Sequence, residues 1–426
     1  MAGAESVVQR FKLDPDCELR FEVKSKNKVT LELISGLAEV FGTELVQGKK
    51  YEFTTEANIA VYAPWHDCVV ELVGLPGSSY MAKNTPMRIY LNCHEVLERM
   101  RQTAAYKDTV GPVTMVVGSH NVGKSTLCKI LLNHAVRKNR RPIFVDLDVS
   151  QGHISVPGTI SALLMEHTSD VVKGFSQKVP VVFHFGHKTP HANVMLYRLL
   201  VMQLATICKA KLQADYKKAK VSGIVINTFG CIKKDDYSLL AHAVEEFKVD
   251  TILVLDEESL YYELVKDLSD LVKVIILPMS DGVVERSQDQ RTEANNQSIK
   301  KFFYGSQILL YSHSFVFNWS DIKLYKYGAP VPTCCAPLDK ARDNPTKLVP
   351  VALGPHLLHR LLSVSFTDNP ETVLRTTISG FVCVTDVNVE KQTLTLLASQ
   401  STSLLNKALI LSDIEFIASN YEPHIK

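Results

Sequence analysis

Apolar and polar positions alternate with a period of two from Cys17 to about residue 90. In Cys17–Val23, Leu19, Phe21 and Val23 share one face, and Glu18, Arg20 and Glu22 share the other. Val29–Leu33 repeats the pattern with Thr30 and Glu32 outward, and Tyr51–Phe53, Ile59–Tyr62 and Val69–Val73 fit further short strands. Short alternating runs separated by Gly, Asn and Lys predict a small sandwich or barrel. The period then changes. Val96, Leu97 and Met100 fall at helical spacing within Leu91–Tyr106, which predicts a linker helix ending near Asp108–Gly111.

From residue 112 to about 310, apolar runs alternate with amphipathic stretches. The runs are Val113–Val117, Ile143–Val145, Val181–Phe185, Ile224–Ile226, Thr251–Leu255 and Val272–Leu277. Helical stretches between them include Lys124–Arg137, Asn193–Tyr216, Tyr237–Phe247 and Glu258–Leu268. Strand–helix alternation predicts βαβ units and a mostly parallel sheet. Beyond about residue 320, Pro330, Pro332, Pro337, Pro345 and Pro350 break up the chain. Strands at Leu348–Ala352, Ser379–Val384 and Thr393–Leu397 and a helix near His356–Ser363 then predict a small α+β unit. The expected layout is an N-terminal β-sandwich over 1–92, a linker helix over 93–111, a nucleotide-binding α/β domain over 112–312 and a C-terminal α+β domain over 313–426.

A length of 426 residues suits two or three domains, and 46% apolar with 22% charged residues suits a folded chain. A net charge of +2 gives no overall call for a polyanion, so contact with nucleic acid rests on a local patch. The nine cysteines include no CxxC pair, which argues against a disulfide framework or zinc module and fits a reducing compartment. No secretory signal is expected at the start, and no apolar run approaches the ~20 residues of a membrane span.

Chemistry concentrates after Val113–Val117, where Gly118-Ser-His-Asn-Val-Gly123-Lys124-Ser125-Thr126 opens a helix. This is the GxxxxGKS phosphate loop in its strand–loop–helix setting. Gly118 and Gly123 let the loop curl so that backbone N–H groups point at a phosphate. The helix N-terminus adds partial positive charge. Lys124 would reach the β and γ phosphates of a nucleoside triphosphate, and Ser125 would ligate Mg²⁺. Ile143-Phe-Val-Asp146-Leu-Asp148 ends the next strand, with two acids on one face at the carboxyl end of a parallel strand. One acid can hold a metal or its water, and the other can take a proton from a nucleophile. No guanine-reading Asn-Lys-x-Asp motif follows a strand, which argues against a GTPase.

The chain resembles the polyribonucleotide 5′-hydroxyl kinase family, a subunit of pre-mRNA cleavage complex II also associated with tRNA splicing endonuclease. The resemblance spans nearly the whole chain. It rests on Cys17–Phe21, Phe41–Leu45, Thr85–Met87, Gly118–Thr126, Asp146–Gly152, Phe185–Pro190, Ile226–Thr228, Val283–Ser287 and Phe303–Gly305. It implies the same three-part fold, a nuclear protein, transfer of the ATP γ-phosphate to an RNA 5′-hydroxyl, and a termination factor docked on the central domain. By resemblance Asp148 is the base and Lys124 the phosphate clamp, with Ser125 the metal ligand and Asp146 its support. Arg286 and Arg291 form a lid, an arrangement that suits charge spread over several oxygens. Gly118, Asn121, Val122, Gly123 and Thr126 complete the nucleotide loop; Glu18, Phe41 and Asn58 lie at the base, with Phe41 stacking. Gln151, Thr189 and the position of Cys231 lie toward the RNA acceptor.

Departures from the family pattern cluster at the acceptor and the lid. Cys231 stands where the family usually has a Trp to stack on a base, a contact worth ~1–3 kcal/mol. The next segment, 232–236, lacks an expected Gly. Pro278-Met-Ser-Asp-Gly282 replaces a cation by Met279 and a Gly by Asp281, which would put negative charge where phosphates pass. Asn295 replaces a third lid arginine. Asn121, Ser150 and Asn58 replace an Asp, a Gly and a cation. Two readings follow: a working RNA kinase, or a cleavage-complex subunit that holds ATP without turning it over. Three other features are set aside. His184 and His187 read as a strand-end turn and not a metal site. Cys334-Cys335 reads as unpaired thiols, and His120 as a solvent-facing loop residue.

Overall fold

The computed structural model describes residues 7–24, 27–54, 56–176, 180–214, 217–230, 234–268, 272–305, 313–328, 345–399 and 407–418. The N-terminal strands form two sheets face to face. One has the order Val8–Leu13, Cys68–Gly74, Val29–Ser35, Lys50–Phe53, and the other Thr43–Glu44, Glu39–Val40, Ala57–Ala63, Cys17–Val23, Ser78–Ala82. Leu19, Phe21, Val23, Leu31, Leu33, Val61, Val70 and Leu72 fill the space between them. The polar face of Cys17–Val23 does not meet water: Glu18 and Arg20 are 4% and 6% exposed and turn toward the central domain.

The predicted linker helix is α1, Met87–Lys107, begun four residues early and capped by Asp108 in the left-handed region (φ 51°). It is a buried strut rather than a tether. The Arg101 guanidinium, 1% exposed, donates to the Ser222 carbonyl at 3.1 Å. Glu98 accepts from Arg140 at 2.5 Å and lies 3.6 Å from Arg101.

The central sheet runs in the spatial order Val181–His184, Thr159–Leu164, Ile143–Asp146, Ile224–Asn227, Val113–Gly118, Thr251–Leu255, Lys273–Leu277. The last five strands pair in parallel, and the first two are antiparallel additions at one edge. Thr159–Leu164 was not foreseen, because it is buried up to Leu163 and carries no alternation. Helix α1 and α2 (Lys124–Arg137) cover one face of the sheet. Helices α3 (Val194–Gln213), α5 (Lys234–Phe247) and α6 (Glu258–Leu268) cover the other, with α4 (Lys217–Ser222) between them in the chain. The Asn193 side chain starts α3 by accepting from the Leu196 N–H at 3.0 Å; the expected end at Tyr216 lies outside the described residues.

Helix α7 (Gln288–Tyr304) leads to the C-terminal unit and opens with a capping box between Ser287 and Gln290. A seven-stranded sheet dominates that unit, in the order His313–Asn318, Thr393–Ala398, Ile378–Asn388, Arg360–Ser365, Ala408–Glu415, Lys323–Tyr327, Leu348–Pro350. Its α-helical part among the described residues is one turn, α8 (Pro370–Val373). The helix expected near His356–Ser363 is instead a 3-10 turn, Pro355–Leu357, followed by the strand Arg360–Ser365. Leu361 packs with Phe303 and Phe416 on one face of the sheet, and Leu362 with Val382 and Leu396 on the other. A strand covered on both faces shows apolar pairs in sequence, and these mimic helical spacing.

The strand-end histidines join the domains. His184 Nδ1 lies 2.6 Å from Ser363 Oγ, and His187 Nδ1 lies 2.5 Å from Asp413 Oδ2. Burial pushes His184 down to about 3.

Candidate functional site

The β-sandwich, α1 and the carboxyl end of the central sheet enclose a cavity of about 570 Å³. Its floor is the phosphate loop. Gly118 and Gly123 hold φ of 147° and 92°, and Asn121 the left-handed φ of 60°. A Cβ on Gly118 would lie 2.7 Å from the Leu255 carbonyl oxygen, so the strand end there tolerates no side chain. At Gly123 the nearest atom to such a carbon would be Val283 Cγ2 at 3.2 Å, so the Val283 side chain packs closely over this part of the loop. The Lys124 ammonium, 7% exposed, donates to the carbonyls of Gly118 at 3.1 Å and Ser119 at 2.6 Å. These bonds hold a positive charge inside the loop at the N-terminus of α2.

The paired acids follow the neighbouring strand. Asp146, 2% exposed, accepts from Asn227 Nδ2 at 2.9 Å and from the backbone N–H groups of Asp148 and His153 at 3.2 and 2.8 Å. Burial raises its pKa, and the nearby Asp148 adds to the rise. Asp148 lines the cavity at 5% exposure, with Oδ1 accepting from the Ser150 N–H at 3.0 Å and hydroxyl at 2.6 Å. Ser150, a departure from the family pattern, thus orients the acid expected to act as base.

The opposite wall comes from the β-sandwich. Phe41, Asn58 and Tyr62 line it. Phe41 takes a left-handed backbone (φ 49°), and its carbonyl accepts from Asn133 Nδ2 of α2 at 2.9 Å. Lys129, also of α2, lies 5.3 Å from the centre of the Phe41 ring. Both Glu18 carboxylate oxygens are engaged, by Arg20 at 2.7 Å and by the Thr85 hydroxyl at 2.7 Å. Arg20 also donates to Ser280 Oγ at 3.3 Å, and Tyr90 to the Pro278 carbonyl at 2.7 Å. These bonds tie the segment before the lid to the N-terminal domain. Asp281 accepts from Asn84 Nδ2 at 3.1 Å, and Met279 packs into the core beneath α1. Asp281 lies outside the cavity lining, so it does not place its charge on the expected phosphate path.

Of the residues expected at the site, Glu18, Phe41, Asn58, Asn121, Val122, Gly123, Lys124, Ser125, Thr126, Asp148, Gln151 and Arg286 line this one cavity. Gly118 and Asp146 support it from behind. Arg291 begins α7 near enough to Arg286 for their charges to oppose each other, and its Nε is buried with no hydrogen-bond partner among the described residues. Asn295 donates to the Ser150 carbonyl at 3.0 Å, so α7 braces the loop after the paired acids. Thr189 is exposed, outside the lining, and caps the turn Pro190–Asn193. Cys231 lies outside the described residues. His120 is exposed at its rim and packs over Gly230, where a Cβ would approach the imidazole at 2.4 Å.

Motif reading missed three residues. His153 Nε2 lies 2.6 Å from Ser125 Oγ. Lys129 and Lys301 line the cavity, where burial lowers both and takes Lys129 to about 8. No spacing rule points to them; only the fold brings α2, α7 and the turn after Asp148 together.

Three family models match the chain. One described as the N-terminal beta-sandwich domain of polyadenylation factor covers residues 12–104. A second, mRNA cleavage and polyadenylation factor CLP1 P-loop, covers 118–305. The third, Pre-mRNA cleavage complex II protein Clp1, covers 310–418. A Protein CLP1 homolog of Anopheles gambiae is 52% identical, over 96% of this chain and 97% of its own. A human protein named Polyribonucleotide 5′-hydroxyl-kinase Clp1 is 46% identical over 96% of each chain. The solved Clp1p of a Clp1p–Pcf11p complex, described with the structural basis for ATP loss in a point mutant, superposes with a TM-score of 0.85 at 23% identity. That match covers 97% of this chain and all of the other.

Proposed function

The chain belongs to the Clp1 family of pre-mRNA cleavage complex II proteins, and from that membership and its cavity we propose that it binds ATP with Mg²⁺ and transfers the γ-phosphate to the 5′-hydroxyl of RNA. The observation that carries the proposal is the placing of Lys124 and Asp148 in one cavity whose far wall is the β-sandwich. The residues fit the absent groups. Gly123, Lys124 and Ser125 line the cavity, and Ser125 Oγ with the buried Asp146 carboxylate supplies hard oxygen donors for Mg²⁺. Bound Mg²⁺ supplies charge neutralisation across the phosphate oxygens.

The chain's own groups do the rest. Lys124 holds the phosphates by charge. The ring of Phe41 and the edge of Tyr62 receive the base, and the cavity wall restricts water. Asp148, fixed through Oδ1 by Ser150, accepts the proton of the attacking hydroxyl. Arg286 and Arg291 oppose one another's charge until an anion lies between them, so they are suited to a transition state with added negative charge. Work within a nuclear pre-mRNA cleavage assembly, with a termination factor as partner as in the Clp1p–Pcf11p complex, belongs to the same proposal, as does association with tRNA splicing endonuclease.

A second reading rests on Asn295, which spends its amide on Ser150 where the family has a cation. In that reading the chain holds ATP without turning it over. Transfer of γ-labelled phosphate from ATP to a 5′-hydroxyl RNA decides between them. Label on the RNA that is lost in Asp148→Asn supports the kinase. Bound ATP with no transfer supports the scaffold. Absence of ATP binding overturns both.

A further inference from the structure

We infer that His153 is a metal ligand at this nucleotide site and shifts the site's preference from Mg²⁺ toward Mn²⁺. The inference rests on the reading of Ser125 as a metal ligand. His153 lines the cavity, and its Nε2 lies 2.6 Å from Ser125 Oγ. Its backbone N–H donates to Asp146 Oδ2 at 2.8 Å, so the residue is also tied to the buried acid.

The turn that carries His153 is rigid. Gly152 has φ of 64°, and a Cβ there would fall 2.5 Å from the Val156 carbonyl carbon. Ser298 of α7 donates to the carbonyls of Gly152 and Ser155, and Asn295 to that of Ser150. The imidazole is therefore presented by a braced loop rather than by a free surface side chain.

Two cis ligands on an octahedral ion with bonds of about 2.1 Å stand about 3.0 Å apart. The Ser125–His153 separation needs to open by only a few tenths of an ångström to meet that spacing. Mg²⁺ takes oxygen ligands almost exclusively, whereas the first-row divalent ions, of which Mn²⁺ is the most like Mg²⁺, bind mixed nitrogen and oxygen sites. A nitrogen donor placed next to the loop hydroxyl thus favours the softer ion. A histidine that merely orients the Ser125 hydroxyl would show no such metal preference.

The test uses the full-length chain with a non-hydrolysable ATP analogue. Calorimetry gives the ratio of affinities in Mn²⁺ and Mg²⁺. The ratio is expected to fall about tenfold in His153→Ala and equally in His153→Gln, which keeps a hydrogen-bonding group but no imidazole. Pulsed electron paramagnetic resonance of the wild-type Mn²⁺ complex is expected to show coupling to a directly bound nitrogen, a readout that needs no variant. Tight analogue binding with an unchanged ratio and no nitrogen coupling overturns the role of His153 alone. Rescue of the ratio by His153→Gln also overturns it, leaving an orienting role. Failure of the wild type to bind the analogue with either ion overturns the ATP reading itself.

Discussion

At the scale of the residue, the cavity sets side chains against their solution behaviour. Lys129 is the clearest case: α2 holds its ammonium over the Phe41 ring, and burial takes it to about 8. At pH 8 about half of such amines are neutral, against about 0.4% for an ordinary lysine of pKa 10.4. Lys129 should therefore be carbamylated by cyanate at pH 8 on the order of ten times faster than exposed lysines, and MgATP should suppress the reaction. Peptide mass mapping reads this directly, and labelling no faster than at the surface would refute it. The functional residues readable in the sequence were those whose backbone must do something unusual. Gly118 and Gly123 stand at positive φ, and Lys124 and Ser125 follow at fixed offsets. Lys129, His153 and Lys301 left no such mark, because only the packing of separate elements brings them to the cavity.

Elements were legible where apolar and polar residues separate cleanly, by position along the chain or by face. Cys17–Val23, α2 and α6 declared themselves by period, and the apolar parallel strands by their short runs between helices. Thr159–Leu164 and Arg360–Ser365 did not, because polar residues interrupt their apolar runs without alternating. Helix α1 was found, but its structural role was not. Glu98, 3% exposed, sits between Arg101 and Arg140 and compensates two cations on a buried face. Removing one partner of a buried ion cluster costs about 3–5 kcal/mol, because charge is left without compensation. Glu98→Gln should lower the unfolding free energy by that order, read as a lower denaturant midpoint at an unchanged slope. Adding Arg101→Met should recover part of the loss, since the uncompensated charge goes with it. A double variant as unstable as the sum of the two single changes would show that Glu98 acts by packing instead.

At the scale of the whole molecule, the three-part architecture follows from domain-sized pattern changes in the chain, yet the site belongs to no single part. The N-terminal domain is bonded to the central one at both ends of the cavity. Glu39 meets His134 at 3.0 Å and Arg137 at 2.5 Å, the Thr43 hydroxyl donates to the Ser169 carbonyl at 2.9 Å, and Arg20 reaches Ser280. A ligand held between Phe41 and Lys124 therefore reports to both domains at once. At a concentration of 100 times Kd, such a ligand stabilises the bound form by about 2.7 kcal/mol. Hydrogen exchange should slow on MgATP addition in Cys17–Val23 and Ala57–Ala63 as well as in the phosphate loop, since opening either wall then costs the binding energy. Lys124→Ala should abolish the slowing in both places together. Slowing confined to the central domain would place the base elsewhere, leave the β-sandwich as a neighbour rather than a wall, and remove Glu18, Phe41 and Asn58 from the site.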